Sequence, residues 1–355
     1  MKILITIDFP PENGGIQRYL LNIVKHTYSP CDIVVAGCSN VPRDHRSILD
    51  CKVQYLSTFL SKFNKKFSLI PIFLWLLKSA AKKNNDICFE AGNLYSAIPV
   101  FLLSYIFSVR YSVYCYGKEL FVLSKRGFRA NLFGNILKRA DKIYYLSSYT
   151  LSLLKNAGIT GKLIQEPPRI ELPVNINKNR NPLSASLVNL LTVGRLVSHK
   201  GHSVLIKAAQ MLSPEINWHL TIAGSGPELK PLLASVKESN LLNRISIQTD
   251  LSDLQISNLY SSCDIFLFPS LETADGAEGF GIVLLEAMAY HLPIIASRTG
   301  AIPEVLSNGE CGILVEPDNP REICSAVMKL ITDESLQKTL ITNASARLRK
   351  YYAWK

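Results

Sequence analysis

The sequence predicts an α/β protein of two doubly wound, Rossmann-like domains in tandem. Strand-like apolar runs alternate with helical stretches in both halves of the chain, which is typical of parallel sheets wrapped by helices. A stretch rich in proline and asparagine, residues 166–182, separates the halves and is the best linker candidate. The 355 residues suffice for two domains of ordinary size, which we place at 1–172 and 173–355.

The first domain opens with a strand over residues 2–7. A turn that contains Gly14 and Gly15 then leads into a helix over residues 16–26. Further strand-like runs follow, with helical stretches between them, at residues 32–37, 52–56, 86–89, 111–115 and 142–146.

The second domain repeats the alternation of strands and helices. Its strands are predicted at residues 188–193, 219–223, 245–248, 265–269 and 294–296. Its helices are predicted at residues 203–212, 228–239, 254–261 and 280–290. Open sheets of this kind bind ligands at the carboxyl ends of their strands, so the loops there are the first place to look for a site.

Two carboxylates mark the helix predicted at residues 280–290. Glu278 precedes a Gly-Phe-Gly turn, and Glu286 is the only charge between Gly279 and Ala289. Since a charge is almost never fully buried without a partner, Glu286 is expected to face hydrogen-bond donors outside its helix, and sugar hydroxyls fit that need. The free N–H groups at the start of the helix suit a phosphate. The alternative is an ordinary core helix with a glutamate near its start.

A basic loop follows the first strand of the second domain. Arg195 and Lys200 stand five residues apart in the loop that begins at Gly194 and ends at Gly201. Two cations at this spacing can converge on a diphosphate, and the glycines allow close approach. The alternative is a turn with exposed basic residues.

These two segments, read together, resemble the signatures of retaining glycosyltransferases of the GT-B fold, in glycosyltransferase family 4. The resemblance implies two domains that face a central cleft, with the nucleotide sugar held there. It implies that Glu278 contacts the donor sugar, Glu286 contacts the ribose, and Arg195 and Lys200 neutralise the diphosphate. The turn that opens the helix at residue 280 would add further donor contacts, from Gly279, Phe280, Gly281, Ile282 and Val283.

The first domain carries two weaker parts of the resemblance. Gly14 and Gly15 are similar to the family's loop over the donor phosphates, although a plain strand-to-helix turn explains them equally well. Tyr116 stands where the family often has a histidine near the donor sugar. We carry it as a fourth catalytic candidate with Glu278, Arg195 and Lys200, against the alternative of a packed aromatic residue.

Charge is distributed unevenly along the chain. Residues 1–170 hold 23 Lys+Arg and 10 Asp+Glu (net +13), and the remainder holds 16 and 18 (net −2), which together give the formal +11. An apolar helix near residues 67–77 is flanked by lysines on both sides. It is expected either to dock on an anionic membrane surface or to be a core helix of the first domain. No nucleic-acid-binding motif accompanies the positive charge.

The remaining features bear on compartment. The eight cysteines form no Cys-x-x-Cys pair, which favours free thiols in a reducing cytoplasm. The first residues read as a strand, and no transmembrane helix is expected. We therefore predict a cytoplasmic protein, peripheral at the inner face of the membrane.

The sequence thus predicts a retaining hexosyltransferase that uses GDP-mannose or a UDP-sugar and a glycan or lipid-linked acceptor. The local sequence around Gly14 and Gly15 most resembles that of mannosyltransferases that act on lipid acceptors. This resemblance favours a role in surface polysaccharide or glycolipid assembly. With no Asp-x-Asp motif, no metal or other cofactor is expected. The alternative is a hydrolytic or non-catalytic GT-B protein that binds sugar nucleotides.

Overall fold

The computed structural model describes most of the chain, in two compact units. The described residues are 1–10, 14–38, 49–80, 87–125, 127–173, 187–274 and 276–354. The first unit spans Met1–Pro168 and the second spans Arg169–Lys355, whereas the sequence placed the boundary between residues 172 and 173. Much of the predicted linker, from residue 174 onward, lies outside the described residues.

The first unit is built on a parallel sheet. Its strands, in chain order, are β1 Lys2–Thr6, β2 Ile33–Gly37, β3 Lys52–Leu56, β4 Cys88–Ala91, β5 Arg110–Cys115, β6 Lys142–Tyr145 and β7 Leu163–Gln165. They lie side by side in the order β3-β2-β1-β4-β5-β6-β7. The short strand β7 was not predicted, and β4 begins later than the predicted run at residue 86.

Helices connect these strands. The helices are α1 Gly15–Thr27, α2 Leu69–Ala80, α3 Ala97–Leu103, α4 Phe128–Arg139 and α5 Ser148–Asn156. Short 3-10 turns lie at Phe59–Lys62, Lys65–Ser68 and Lys118–Ser124. The lysines predicted to flank α2 at positions 82 and 83 lie outside the described residues.

Strand β4 shows how the sheet is covered on both faces. Phe89 and Ala91 belong to the apolar core that includes residues of α2, α3 and α4. Glu90, between them, points to the opposite face, where the Tyr28 hydroxyl donates to its carboxylate at 2.6 Å. Because side chains alternate along a strand, one face of β4 packs against helices. The other face carries the buried pair of Glu90 and Tyr28, the residue after α1.

The second unit repeats this plan. Its strands are β8 Val188–Val193, β9 Trp218–Ala223, β10 Ile245–Gln248, β11 Ile265–Phe268, β12 Ile294–Ser297 and β13 Ile313–Val315, in the order β10-β9-β8-β11-β12-β13. Its helices are α6 His202–Ala209, α7 Leu229–Glu238, α8 Asp253–Ser262, α9 Ile282–Ala289, α10 Ile302–Val305, α11 Pro320–Thr332 and α12 Glu334–Arg347. Ile265 and Leu267 join the core formed with α6, α7 and α11. Phe266 lies on the other face, against Tyr260 of α8.

Each sheet reverses its strand order once. In the first unit the reversal lies between β1 and β4, and in the second it lies between β8 and β11. Loops on the two sides of such a point diverge and leave a crevice at the carboxyl ends of the strands, where doubly wound proteins bind ligands. The fold thus assigns one crevice to each unit.

Two further features concern the cysteines and the lengths of the helices. All eight cysteines carry free thiols. Among the residues that the structure describes, no helix combines the length and the apolar character needed to cross a bilayer.

We predict that Asp32→Asn destabilises the first unit. Asp32, at the start of β2, accepts hydrogen bonds from the Lys2 amide (2.6 Å), the Ser29 amide (2.9 Å) and the Ser29 hydroxyl (2.9 Å). An asparagine would turn an amide group toward these donors, so the free energy of unfolding should fall by about 1–3 kcal/mol. Urea unfolding measures this change.

The exposed substitution Glu215→Gln is the control and should change little. Although burial raises the pKa of Asp32, its hydrogen bonds hold that pKa below its ordinary value of 3.8. The wild-type advantage should therefore persist above that pH and disappear as the pH falls through the folded-state pKa. An equal loss in both variants would contradict this account.

Candidate active site

The loops at the carboxyl edge of the second sheet bring three of the predicted residues together. Arg195 is the second residue after β8, Lys200 ends a 3-10 turn just before α6, and Glu278 lies in the loop that leads into α9. These loops flank the reversal between β8 and β11.

The centre of this cluster is an ion pair. The Lys200 ammonium contacts the Glu278 carboxylate, and the two side chains are each only 15% exposed. The ammonium also lies 4.9 Å from the centre of the Phe268 ring, at the end of β11. The aromatic face adds a favourable cation–π contact to the lysine.

The electrostatics of the cluster keep Glu278 ionised. Burial by itself would raise the pKa of Glu278, but the charge and hydrogen bond of Lys200 outweigh it, and His199 and Arg195 act in the same direction. The pKa of Glu278 is therefore held below its ordinary value. Arg195 is exposed, so its guanidinium is accessible from solvent while its field reaches the carboxylate.

Two glycines hold the loops in place. Gly201 has φ +69°, and a Cβ there would lie 2.0 Å from the carbonyl oxygen of Pro269. Gly300, after β12, has φ +53°, and its Cβ would lie 2.2 Å from the carbonyl oxygen of Glu278. Only glycine tolerates both the positive φ and the close backbone contact. The loop of Glu278 is thus packed directly against the loop after β12, where the Ala301 amide also donates to the Glu278 carbonyl at 2.9 Å.

Glu286 faces outward from α9 to a donor on another helix. The Tyr260 hydroxyl of α8 donates to its carboxylate at 2.8 Å, and the Tyr260 ring stacks on that of Tyr290 at 5.3 Å. Glu286 therefore meets a donor outside its own helix, as the sequence predicted, and that donor is the hydroxyl of Tyr260. Its contact with a ribose remains a prediction.

The other predicted donor residues around α9 differ in what they can offer. Gly281 is the residue before the helix, with φ +83°, and no side chain of the described residues caps it there. Ile282 and Val283 form the half-buried first turn, and Gly279 is half-buried as well. The Phe280 side chain is buried and packs edge-on against Tyr352 at 5.5 Å, so its ring is part of the core.

The remaining predicted residues lie in the first unit. Gly14 is the residue before α1 and Gly15 begins that helix, whose start likewise has no side-chain cap among the described residues. Tyr116 is 6% exposed, and its hydroxyl donates to the Gly92 carbonyl at 2.6 Å. Burial raises its pKa well above the ordinary value. This geometry favours the packed-aromatic interpretation of Tyr116, whose catalytic role remains untested.

A polar network at the reversal point of the first sheet was not predicted. Asp8, just after β1, forms an ion pair with Lys65 at 2.7 Å and accepts from Asn93 at 2.5 Å and from Gln17 at 3.3 Å. Asn93 in turn accepts from the Ser96 amide at 2.7 Å. The available signal was positional, since Asp8 and Asn93 each follow one of the two strands that flank the reversal.

The described residues contain no group of three His, Cys, Asp or Glu side chains that could hold a metal ion. The expectation that no metal or other cofactor is needed remains a prediction.

The two reversal points, with the basic loop of the second unit, define the class of this protein as a doubly wound α/β ligand-binding protein. Residues 175–347 match the family model described as glycosyl transferases group 1. Over residues 175–347, which lie within the second unit, the chain is therefore assigned to the glycosyl transferases group 1 family.

Relatives align along the whole chain. The uncharacterized glycosyltransferase MJ1178 of Methanocaldococcus jannaschii is 24% identical over 361 residues, which cover 100% of this chain and 95% of that protein. The GDP-mannose-dependent monoacylated alpha-(1-6)-phosphatidylinositol monomannoside mannosyltransferase of Corynebacterium glutamicum is 26% identical over 378 residues, with 99% and 94% covered.

Solved structures share the fold. Anabaena Alr3699/HepE, crystallised in complex with UDP, has a TM-score of 0.80 at 19% identity, with 99% of this chain and 96% of that chain covered. Sucrose-phosphate synthase from Thermosynechococcus elongatus has a TM-score of 0.81 at 19% identity, with 99% and 94% covered. These similarities show the GT-B fold.

We predict a strong energetic coupling between Lys200 and Glu278. Lys200→Met or Glu278→Gln alone leaves one largely buried partner unmatched and should lower the free energy of unfolding by about 3 kcal/mol. The double variant should cost less than the sum of the two by at least about 1 kcal/mol. Urea unfolding of the four proteins gives this double-mutant cycle.

The exposed pair Lys338–Glu334, with side chains 73% and 60% exposed, provides the matched control cycle. Its coupling should stay below about 0.5 kcal/mol. Additive losses at Lys200 and Glu278 would show that the ion pair does not stabilise the loops.

We also predict that His202 makes stability fall in mild acid. Burial, with Lys200 and His199 nearby, lowers the pKa of His202 from 6.5 to about 4. Between these values the unfolded chain binds a proton that the folded chain does not, so stability should fall as the pH drops through this range. The wild type should lose about 2–3 kcal/mol more than His202→Gln between neutral pH and pH ~4. Urea unfolding at several pH values measures this. If the free energy of unfolding fell equally with pH in the wild type and in His202→Gln, the prediction would be wrong.

Proposed function

We propose that this chain is a retaining hexosyltransferase that moves a sugar from a nucleoside diphosphate to a glycan or lipid-linked acceptor. The observation that carries the proposal is the Lys200–Glu278 ion pair beside Arg195, at the reversal point of the second sheet. A carboxylate that stays ionised can accept hydrogen bonds from sugar hydroxyls. Two adjacent cations can stabilise a diphosphate as its negative charge grows.

Each residue has a separate role in this proposal. Glu278 orients the donor sugar, Glu286 binds the ribose, and Arg195 and Lys200 stabilise the leaving diphosphate. The bond between the anomeric carbon and the diphosphate oxygen breaks, and the acceptor oxygen bonds to the same face of that carbon. The acceptor proton passes to the departing phosphate oxygen, so the step needs no separate base and no redox partner. The protein mainly positions the reactants and stabilises charge.

Named relatives and fold neighbours support the choice of donors. The Corynebacterium glutamicum relative is described as GDP-mannose-dependent and as acting on a phosphatidylinositol monomannoside. The Anabaena fold neighbour was crystallised with UDP and with UDP-glucose. We therefore propose GDP-mannose or a UDP-sugar as donor and a lipid-linked acceptor. The setting is the inner face of the membrane, in the assembly of a surface polysaccharide or glycolipid.

The test is sugar transfer by the purified full chain. Labelled GDP-mannose and UDP-sugars are offered with a lipid extract that contains polyprenyl phosphates and phosphoinositides. We expect label to enter lipid from one donor, with the anomeric configuration retained. Glu278→Gln should lower kcat by about 10²-fold or more, because the lost carboxylate acts at the reacting sugar.

Glu334→Gln is the matched control, since Glu334 is exposed on α12. It should keep full activity. Release of free sugar without lipid labelling, with every donor and acceptor tried, would show that the protein is a hydrolase and not a transferase. An inverted product would overturn the retaining mechanism, and nucleotide binding without turnover would make the chain a non-catalytic binding protein.

A further inference from the structure

A surface of the first unit exposes an unusual run of apolar side chains. We call it the apolar ridge; it follows β3 and comprises Phe59, Leu60, Phe63, Phe67, Ile70 and Leu74. Phe59 and Phe63 are 72% and 77% exposed, and their rings pack edge-on at 5.9 Å. Single exposed apolar residues are ordinary, but a contiguous set of this kind marks an interaction site.

The ridge stands on a well-defined local scaffold. The Thr58 hydroxyl accepts from the Ser61 amide at 3.2 Å, and the Ser61 hydroxyl accepts from the Thr58 amide at 2.9 Å. Ser61 and Ser68 are fully buried, and their hydroxyls are 3.0 Å apart. The two serine side chains thus turn inward, while Phe59 and Phe63 are exposed. These hydrogen bonds fix the backbone turn that carries Phe59 and Phe63.

The charged residues of the segment that carries the ridge are all positive. Residues 51–80 contain no Asp or Glu and five lysines, at positions 52, 62, 65, 66 and 78. Lys66 and Lys78 are exposed, and the Lys66 ammonium lies 3.8 Å from the centre of the Tyr95 ring. Exposed aromatic residues between lysines match a lipid headgroup layer, in which rings enter the interface and ammonium groups meet phosphates. A second copy would instead bring two like-charged segments together.

The ridge is tied to the crevice of its own unit. Lys65, between Phe63 and Phe67 of the ridge, forms the ion pair with Asp8, just after β1. Tyr55, in β3 just before the ridge, donates to the Pro10 carbonyl at 2.8 Å. A bilayer that contacts the ridge would therefore lie beside the carboxyl edge of the first sheet. A lipid whose tails stay in the bilayer could present its headgroup to Asp8 and Asn93.

We infer that the apolar ridge docks this protein on an anionic bilayer, with Phe59 and Phe63 inserted at the boundary between headgroups and acyl chains. Lys66 and Lys78 contact the lipid phosphates. The inference rests on the proposed transfer to a lipid-linked acceptor for its purpose, but docking can be measured without any sugar donor.

The test is co-sedimentation of the full chain with vesicles. Vesicles of phosphatidylcholine with phosphatidylglycerol are compared with vesicles of phosphatidylcholine alone, at low and at high salt. We expect binding to the anionic vesicles that weakens with salt, because the lysine–phosphate attraction is screened. Phe59→Ser with Phe63→Ser should weaken binding at least about tenfold, since two inserted rings are lost. Lys66→Gln should weaken binding less and reduce its salt dependence.

Leu254→Ser in the second unit is the matched control, because Leu254 is also 72% exposed. It should bind like the wild type, and thermal melts should show that all variants fold. No binding of the wild type to anionic vesicles at low salt would overturn the inference, as would equal losses in the control and the double variant. Concentration-dependent dimerisation that the double variant abolishes would assign the ridge to a second copy and overturn it too.

The two proposals fail in different ways. Vesicle binding that is absent while transfer to a detergent-dispersed acceptor persists would overturn docking alone. Vesicle binding that is present while no donor gives transfer would overturn the proposed function alone.

Discussion

The buried contact between Lys200 and Glu278 joins the two sides of the crevice in the second unit. Each residue reaches it from a loop whose backbone is already constrained, Lys200 by Gly201 against Pro269 and Glu278 by its own carbonyl against Gly300. An ion pair that is mostly removed from water is favourable only when its geometry is good. Backbone packing of these loops supplies that geometry, and the ionised state of Glu278 follows from it.

The first unit also has an ion pair beside the crevice of its sheet, but this pair has a different connection. Its reversal point carries an ion pair as well, between Asp8 and Lys65, and the lysine belongs to a surface segment instead of a loop after a strand. The crevice is thereby linked to the apolar ridge. In the proposed function, the sheet edge of the second unit holds the nucleotide and the corresponding edge of the first unit holds the acceptor, and the surface beside each edge sets which molecules reach it.

The sequence predicted the fold well where apolar runs were long and failed where they were short. The buried strand β8 was placed at its observed bounds, because six consecutive residues of a central strand leave a clear pattern. Strands β7 and β13 have three residues each, too few for a periodic signal, and both were missed. Tertiary contacts, which a pattern does not contain, fix these edge strands.

The candidate site was predicted in part for a similar reason. Lys200 and Glu278 were found from local motifs, but their direct contact joins residues 78 positions apart and is a property of the folded loops. Tyr260 was missed as the partner of Glu286 because its hydroxyl comes from a separate helix. Tyr116 is a case in which a motif suggested more than the fold provides. Its position predicted a contact with the donor sugar, but its hydroxyl donates to a backbone carbonyl.

The pairing of Lys200 with Glu278 also bears on how such sequences can diverge. Loss of either charge alone leaves the other largely buried without a partner. A sequence with only one of the two substitutions is therefore less stable, whatever its catalytic activity. Replacement of both by neutral side chains avoids that penalty. The two positions are therefore expected to co-vary among descendants, and a lineage that abandons sugar chemistry should lose both charges together.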